Sequence, residues 1–157
     1  MKYFKDIKLK ELSLQKILEK INNTPHVAVG ILQDKKVKGN FSITDLAAIH
    51  EYGSTNGHIP ARSFIRSTFD AKQQKYAKLI SYLQSKVIFN NLNIKQALLT
   101  LGEVVSKDMV ATINAGIKPA LKPSTIKRKK STKPLIDTGR LKGSITHEIR
   151  GKYSEMD

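Results

Sequence analysis

Four groups of residues in this 157-residue chain have types and spacings that could carry chemistry. Asp137-Thr138-Gly139, after two apolar residues, has the form of an aspartic-protease triplet. That chemistry needs two aspartates sharing one proton. The triplet occurs once, so a homodimer would have to supply the second. Arg140 follows directly, and a cation there would hold both carboxylates as anions. A turn explains the residues more simply, with Asp137 capping at Thr138 and Gly139 lending flexible backbone. His50-Glu51 with His58 raises the question of a metal. A zinc-protease helix carries its second histidine four residues after the first, and Ser54 stands there. On a helix, His50 and Glu51 also point to different faces. With no Cys and only His26, His50, His58 and His147, no metal or cofactor is expected. Gly102, Gly116 and Gly139 do not cluster into a phosphate loop, and no nucleophile–base pair is supported by spacing. The expectation is a protein without catalytic residues.

The third group is Arg62 and Arg66, flanking Ser63-Phe64-Ile65. Each guanidinium suits phosphate or carboxylate bidentately. In a lone domain, Phe64, Ile65 and Phe69 would anchor the segment while the arginines bridge to local carboxylates. In an assembly, an extended Ile59-Pro60-Ala61-Arg62 stretch would offer a neighbour a place to bind. The fourth group is the run 118–133, with Lys118, Lys122, Lys127, Arg128, Lys129, Lys130 and Lys133 and no acidic residue. It has no aromatic side chain on which bases could stack. Binding to a polyanion would therefore be to phosphates and salt-sensitive. A solvated loop that orders on an acidic protein partner is an equal alternative.

The elements that must position these groups can be read from periodicity. Leu14, Ile17, Leu18 and Ile21 share one face of a helix, with Ser13 as cap and Leu12 and Ile17 as a hydrophobic staple. Asn22-Asn23-Thr24-Pro25 stops it. Val27, Val29 and Ile31 alternate as a half-buried strand from His26 to Leu32. Asp34-Lys35-Lys36 and Lys38-Gly39-Asn40 read as turns of an irregular or hairpin connection. A short helix capped by Ser42 or Thr44 runs through Tyr52, with Gly53 as a left-handed C′ residue. Ser54 to His58 reads as loop. Ser67-Thr68-Phe69-Asp70 has capping-box spacing and predicts the start of a long helix carrying Phe69, Tyr76, Leu79, Ile80, Leu83 and Val87. Asn93 with Gln96 repeats the device before Ile94, Ala97, Leu98, Leu101, Val104, Val105 and Met109. The short link at Asn90-Asn91 favours antiparallel packing of the two, and Gly116 ends the second. The proline-punctuated basic run predicts a mobile loop. Ile145, His147 and Ile149 alternate as a final strand. The fold class expected is α+β: a small antiparallel or mixed sheet against two long amphipathic helices, plus an N-terminal helix and the basic loop.

Composition bounds the rest. The length suits one domain over residues 1–157. With 39% apolar residues, 6% aromatic and no Trp, the core must be aliphatic and modest. No apolar run approaches the ~18 residues of a membrane span. The start, Met1-Lys2-Tyr3-Phe4-Lys5-Asp6, lacks an apolar signal core, so export by that route is not expected. Absence of Cys fits a reducing cytosol. A net charge of +15, from 28 basic and 13 acidic residues, raises the odds of a polyanionic partner.

Three segments taken in order carry a resemblance: Leu46-Ala47-Ala48-Ile49-His50-Glu51-Tyr52-Gly53, Ile59-Pro60-Ala61-Arg62-Ser63-Phe64-Ile65-Arg66, and Leu135-Ile136-Asp137-Thr138-Gly139-Arg140-Leu141 with Ser144-Ile145. Together they resemble the small virion morphogenesis proteins of tailed bacteriophages, the tail-completion, neck or head–tail joining components. The likeness touches most of residues 25–150, and each motif alone is short. It implies a non-enzymatic α+β subunit of a homo-oligomeric ring, commonly sixfold, at the capsid–tail junction. Such a ring meets the head connector or adaptor and the tail tube and leaves DNA a channel. The subunit would be made in the host cytoplasm and end in the virion. No cofactor and no membrane partner follow, and non-specific DNA contact in the lumen would be sparse. Tyr52, Arg62, Phe64, Arg66 and Arg140 become candidate interface residues. The basic run lies outside the pattern and rests on charge alone. The rival class is a small basic, non-enzymatic accessory protein that binds nucleic acid.

Overall fold

The computed structural model describes residues 24–33, 36–38, 41–121, 123–129 and 139–151. The expected N-terminal helix, its Ser13 cap and Leu12 staple, and the Asp137-Thr138 turn lie outside them. The described chain is α+β and mostly helical. In order it forms β1 (His26–Gly30), β2 (Lys36–Lys38), β3 (Phe41–Ser42), α1 (Ile43–Tyr52), α2 (Ile65–Phe89), α3 (Ile94–Ala115), α4 (Pro123–Lys129), α5 (Arg140–Gly143) and β4 (Thr146–Arg150).

β1 and β4 form an antiparallel ribbon that pairs His26 with Arg150 and Gly30 with Thr146. The expected alternation is what builds it. Val27 and Val29 turn toward the helices, opposite Ile149 and His147 in register. β2 and β3 make a second, minor antiparallel pair with an irregular register. The ribbon lies on α3, and the approach is set by Gly102. A Cβ there would stand 2.7 Å from both Val27 Cγ2 and the His147 ring. A side chain at this point would push the ribbon off the helix.

α2 and α3 form the antiparallel hairpin that the short link favours. Asn93 caps α3 by accepting from the Lys95 amide at 2.7 Å. The hairpin is tied at its open end by polar contacts. Lys72 and Lys75 each reach the Asp108 carboxylate at 2.7 Å, and the Thr68 and Thr112 hydroxyls lie 2.8 Å apart. Burial would raise the Asp108 carboxyl, but the hydrogen bonds from Lys72 and Lys75 and the Lys72 charge outweigh it and hold the group below its ordinary value. The Tyr76 phenol is pushed upward by burial and by the nearby Asp108 charge.

Two apolar clusters make the core. Tyr76, Val105 and Met109 form one beneath the ribbon, and Ile43, Ala47, Phe64, Ile113 and Leu141 form the other. Ile65 and Ile145 pack against both and join them.

Three expectations are corrected. Ser67 and Thr68 do not open α2, which begins two residues earlier at Ile65; their hydroxyls bond back to the carbonyls of Ser63 and Phe64. Gly53 has the positive φ expected, 85°, but ψ is 171°, so the chain leaves α1 extended rather than through a left-handed helical turn. The stretch 118–133 is not wholly loop, because Pro123–Lys129 is the helix α4. Proline at a first helical position has its φ preset and no amide to satisfy, and Ile126 is half-buried rather than solvated.

Candidate functional site

The described parts of the three motif segments meet in one joint. Phe64, from the middle of the second segment, is 0% exposed and packs with Ile43 and Ala47 of α1 and with Leu141 of α5. Ile113 of α3 closes the cluster. One apolar side chain from each segment therefore holds the others in place.

Above this cluster sits Glu51, which is 5% exposed. Its carboxylate caps α2 from a distance in sequence. Oε2 accepts from the Phe64 amide at 2.9 Å and the Ile65 amide at 3.0 Å, while Oε1 accepts from the Arg66 amide at 3.1 Å. The Ser63 hydroxyl also donates to Oε1. The first amides of a helix lack intrahelical partners and form its positive pole, so a buried anion is compensated there. Burial would raise the Glu51 carboxyl. The Ser63 hydroxyl and the amides of Ile65, Arg66 and Phe64 overcome that and hold it below the ordinary carboxylate value.

A second tie crosses the same place. The Arg62 amide donates to the His50 carbonyl at 2.7 Å, locking the second segment to the end of α1. The Arg62 side chain, 6% exposed, donates from Nε to the Pro119 carbonyl at 2.7 Å and from Nη2 to the Ala120 carbonyl at 3.2 Å. Burial pulls this guanidinium downward from its usual value, though arginine stays protonated. Arg62 thus anchors the chain that leads into the basic run.

The loop between the two motif segments closes on itself. Ser54 donates its amide to the Ile59 carbonyl at 2.9 Å, and its hydroxyl accepts from the Ile59 amide at 2.8 Å. Gly53 is required beneath it, since a Cβ would stand 3.1 Å from the Ala61 nitrogen and the Ile59 oxygen.

Five candidate interface residues thus separate into two kinds. Arg62 and Phe64 are withdrawn from the surface: one spends its donors on backbone carbonyls and the other is core. The carboxylate bridges expected of Arg62 are replaced by carbonyl contacts. Tyr52, 74% exposed, and Arg66 are together at the surface, the Arg66 guanidinium 5.8 Å from the Tyr52 ring centre. That distance suits a cation–π contact. Arg140 begins α5 and is exposed. Of the basic run, Lys118 and Lys127 are exposed, and Arg128 and Lys129 belong to α4. Lys122, Lys130 and Lys133 lie outside the described residues.

Comparison with known proteins returns nothing. No family model, no curated protein and no solved structure matches this chain. The joint must be interpreted from its own geometry.

Glu51 and Ser63 face each other and the α2 amides, and no histidine base is bonded to Ser63 among the described residues. His147 bonds elsewhere, its Nδ1 lying 3.2 Å from Ser106 Oγ. Among the described residues there is no group of three His, Cys, Asp or Glu side chains that could hold a metal. No helix of the described residues is long and apolar enough to cross a membrane. Sequence reasoning missed the Glu51 cap and the Arg62 anchor. A glutamate at the end of an amphipathic helix, followed by Ser-Phe-Ile at a helix start, is the one signal that pointed to the first. Nothing local pointed to the second.

Proposed function

We propose that this chain is a structural subunit of a tailed-bacteriophage virion, acting in a ring at the head–tail junction. The single observation that supports the reading is the joint. Among the described residues of the motif segments, Glu51, Arg62 and Ser63 serve architecture there, leaving Tyr52, Arg66 and Arg140 outward. Such a joint sets the angle between α1, α2 and α5 and displays a fixed face, which is the need of an assembly subunit rather than a catalyst. The ring, its sixfold number, its connector and tail-tube partners and its place in the virion come from the sequence resemblance. The subunit has no catalytic role in this reading and takes no cofactor.

The charge of +15 favours a second reading, a nucleic-acid-binding accessory protein. Light scattering on the purified protein at low and moderate salt, with and without duplex DNA, separates the two. A closed oligomer, or a monomer indifferent to DNA that joins isolated tails, supports the ring subunit. A small species that binds duplex DNA, with affinity falling steeply as salt rises, overturns it. In the ring reading the basic run meets an acidic neighbour more than DNA, since many phosphate contacts would impede ejection. Replacing Lys127, Arg128, Lys129 and Lys130 by Gln with unimpaired virion assembly would reject that contact.

A further inference from the structure

One flank of α2 is exposed and uncharged along most of its length. Phe69, Gln73, Ile80, Gln84, Val87 and Ile88 recur at helical spacing on a single stripe. Phe69 is 39% exposed, Ile80 40% and Ile88 69%, and both glutamines are exposed. Toward the end of α2 the stripe meets Ile94 and Leu98 of α3 across an open apolar groove of about 530 Å³, and none of the described residues that line it is charged. The lysines of α2 lie elsewhere. Lys72 and Lys75 turn to Asp108, Lys86 stands 5.5 Å from the Tyr82 ring centre, and Lys78 falls on the opposite side of the helix. Asp70 borders the stripe at its first turn.

This charge pattern selects the occupant. An acidic partner or an anionic lipid surface would be met by lysines, and α2 keeps its lysines off the stripe. A second copy brings the same excess of +15, and like charges placed opposite each other oppose a contact. Such a copy fits where lysine is absent. Depletion of charge at the centre of a surface patch is also the composition of interface cores.

The stripe continues from the Tyr52–Arg66 pair. Arg66 precedes Phe69 by three residues and Gln73 by seven, so it heads the same face, and its guanidinium reaches the Tyr52 ring at 5.8 Å. From Arg66 to Ile88 the face is about 33 Å long and about 10 Å wide, and α3 doubles the width over the groove, for a projected footprint of about 500 Å². A standard interface takes about 800 Å² of accessible surface from each partner. Side-chain relief makes accessible area larger than its projection, so the face has the size of a specific, reversible contact.

We propose that this flank of α2, from Arg66 to the α2–α3 groove, is covered by a second copy of this chain. The proposal rests on the self-association in the ring reading and names the face that makes it.

Sedimentation equilibrium on the full chain, without DNA, over about 10–500 μM covers the dissociation constants expected of such a contact. The mass of the parent should exceed that of the monomer and rise with concentration until assembly is complete. Gln84→Lys and Ile88→Lys, both at exposed positions, set a lysine in the face and should each weaken association at least about tenfold, with helix content by circular dichroism unchanged. Ala71→Lys adds the same charge on the opposite side of α2 and should associate like the parent. A parent that stays at monomer mass throughout overturns the proposal, while the ring reading still faces the tail-joining assay. Self-association that both face variants leave intact overturns the face and keeps the oligomer. Equal weakening by Ala71→Lys assigns the effect to net charge and overturns the face as well.

Discussion

Removing the Glu51 carboxylate should be among the most damaging single changes in the described structure. Three backbone amides and the Ser63 hydroxyl converge on it, and it is 5% exposed, so solvent cannot replace it without opening the joint. A net contribution of about 1 kcal/mol per amide bond gives about 3 kcal/mol for the three. The favourable pole of α2, worth about 0.5–1 kcal/mol, is offset by the cost of burying the charge. Glu51→Ala is therefore expected to cost about 3 kcal/mol, equivalent to about 6–12 °C in Tm for a domain of this size. Glu51→Gln keeps one acceptor oxygen and turns an NH2 toward donors, and should cost about 1–2 kcal/mol. Urea unfolding of the three proteins side by side is the assay.

The same carboxylate gives a pH signature. Its native pKa is depressed, so its contribution is complete above the unfolded-state value of about 4.3 and is lost as pH falls through the native value. The stability gap between the parent and Glu51→Gln should then be constant near neutrality and shrink below about pH 4. The Asp108 carboxyl, also depressed, is present in both proteins and cancels. Glu51→Ala within about 0.5 kcal/mol of the parent, the range of ordinary surface changes, would refute the cap. So would a gap that stays unchanged down to about pH 3.

Gly102→Ala should destabilise by about 1–3 kcal/mol through overpacking, despite a helix-propensity gain of about 1 kcal/mol, because its Cβ would stand 2.7 Å from Val27 and His147. A gain in urea midpoint would show that the ribbon can move aside. Asp108→Ala leaves Lys72 and Lys75 without their shared acceptor. Because both ammonium groups retain access to water, the expected loss is about 1–2 kcal/mol rather than that of a fully buried pair; thermal melts would detect it. Arg62→Ala should speed tryptic cleavage after Lys127 by releasing the Pro119 and Ala120 carbonyls. Arg62→Lys should restore only part of the resistance, lacking the guanidinium fork. Equal cleavage rates in all three proteins would dissolve the anchor.

What could be read from the sequence follows the range of the forces involved. Ser42 caps α1 with Asp45 in a reciprocal box, and Asn93 caps α3, because each device acts within three residues. The β1 and β4 alternations survive because one ribbon face is pressed on α3. The start of α2 misled for the opposite reason. Ser67-Thr68-Phe69-Asp70 has the spacing of a local cap, yet the effective cap is Glu51, 14 residues before Ile65. Burial decides between them: a carboxylate already held in the joint presents two oxygens to the amides, whereas Ser67 and Thr68 can bond back to carbonyls once the helix has begun. Arg62 taught the same lesson at longer range, since its acceptors lie 57 and 58 residues away.

The motif segments combine glycine, proline, arginine and glutamate in an order amphipathicity does not require, and each has a distinct mechanical task in the joint. Gly53 admits the Ile59–Ala61 backbone, Glu51 fixes the start of α2, and Arg62 ties α1 to the chain leaving α3. Phe64 and Leu141 then join their segments through one apolar cluster. Among the described residues, Glu51 and Arg62 hold these segments together. The exposed Tyr52–Arg66 pair is carried on the two helix ends that Glu51 clamps together. In the proposed ring reading, a partner that reads this pair also reads the clamp, so Glu51→Gln should weaken self-association or tail joining as well as stability. A Tyr52→Ala exchange should weaken association alone, and light scattering beside urea unfolding distinguishes the two; equal association by all three proteins would place the contact face elsewhere.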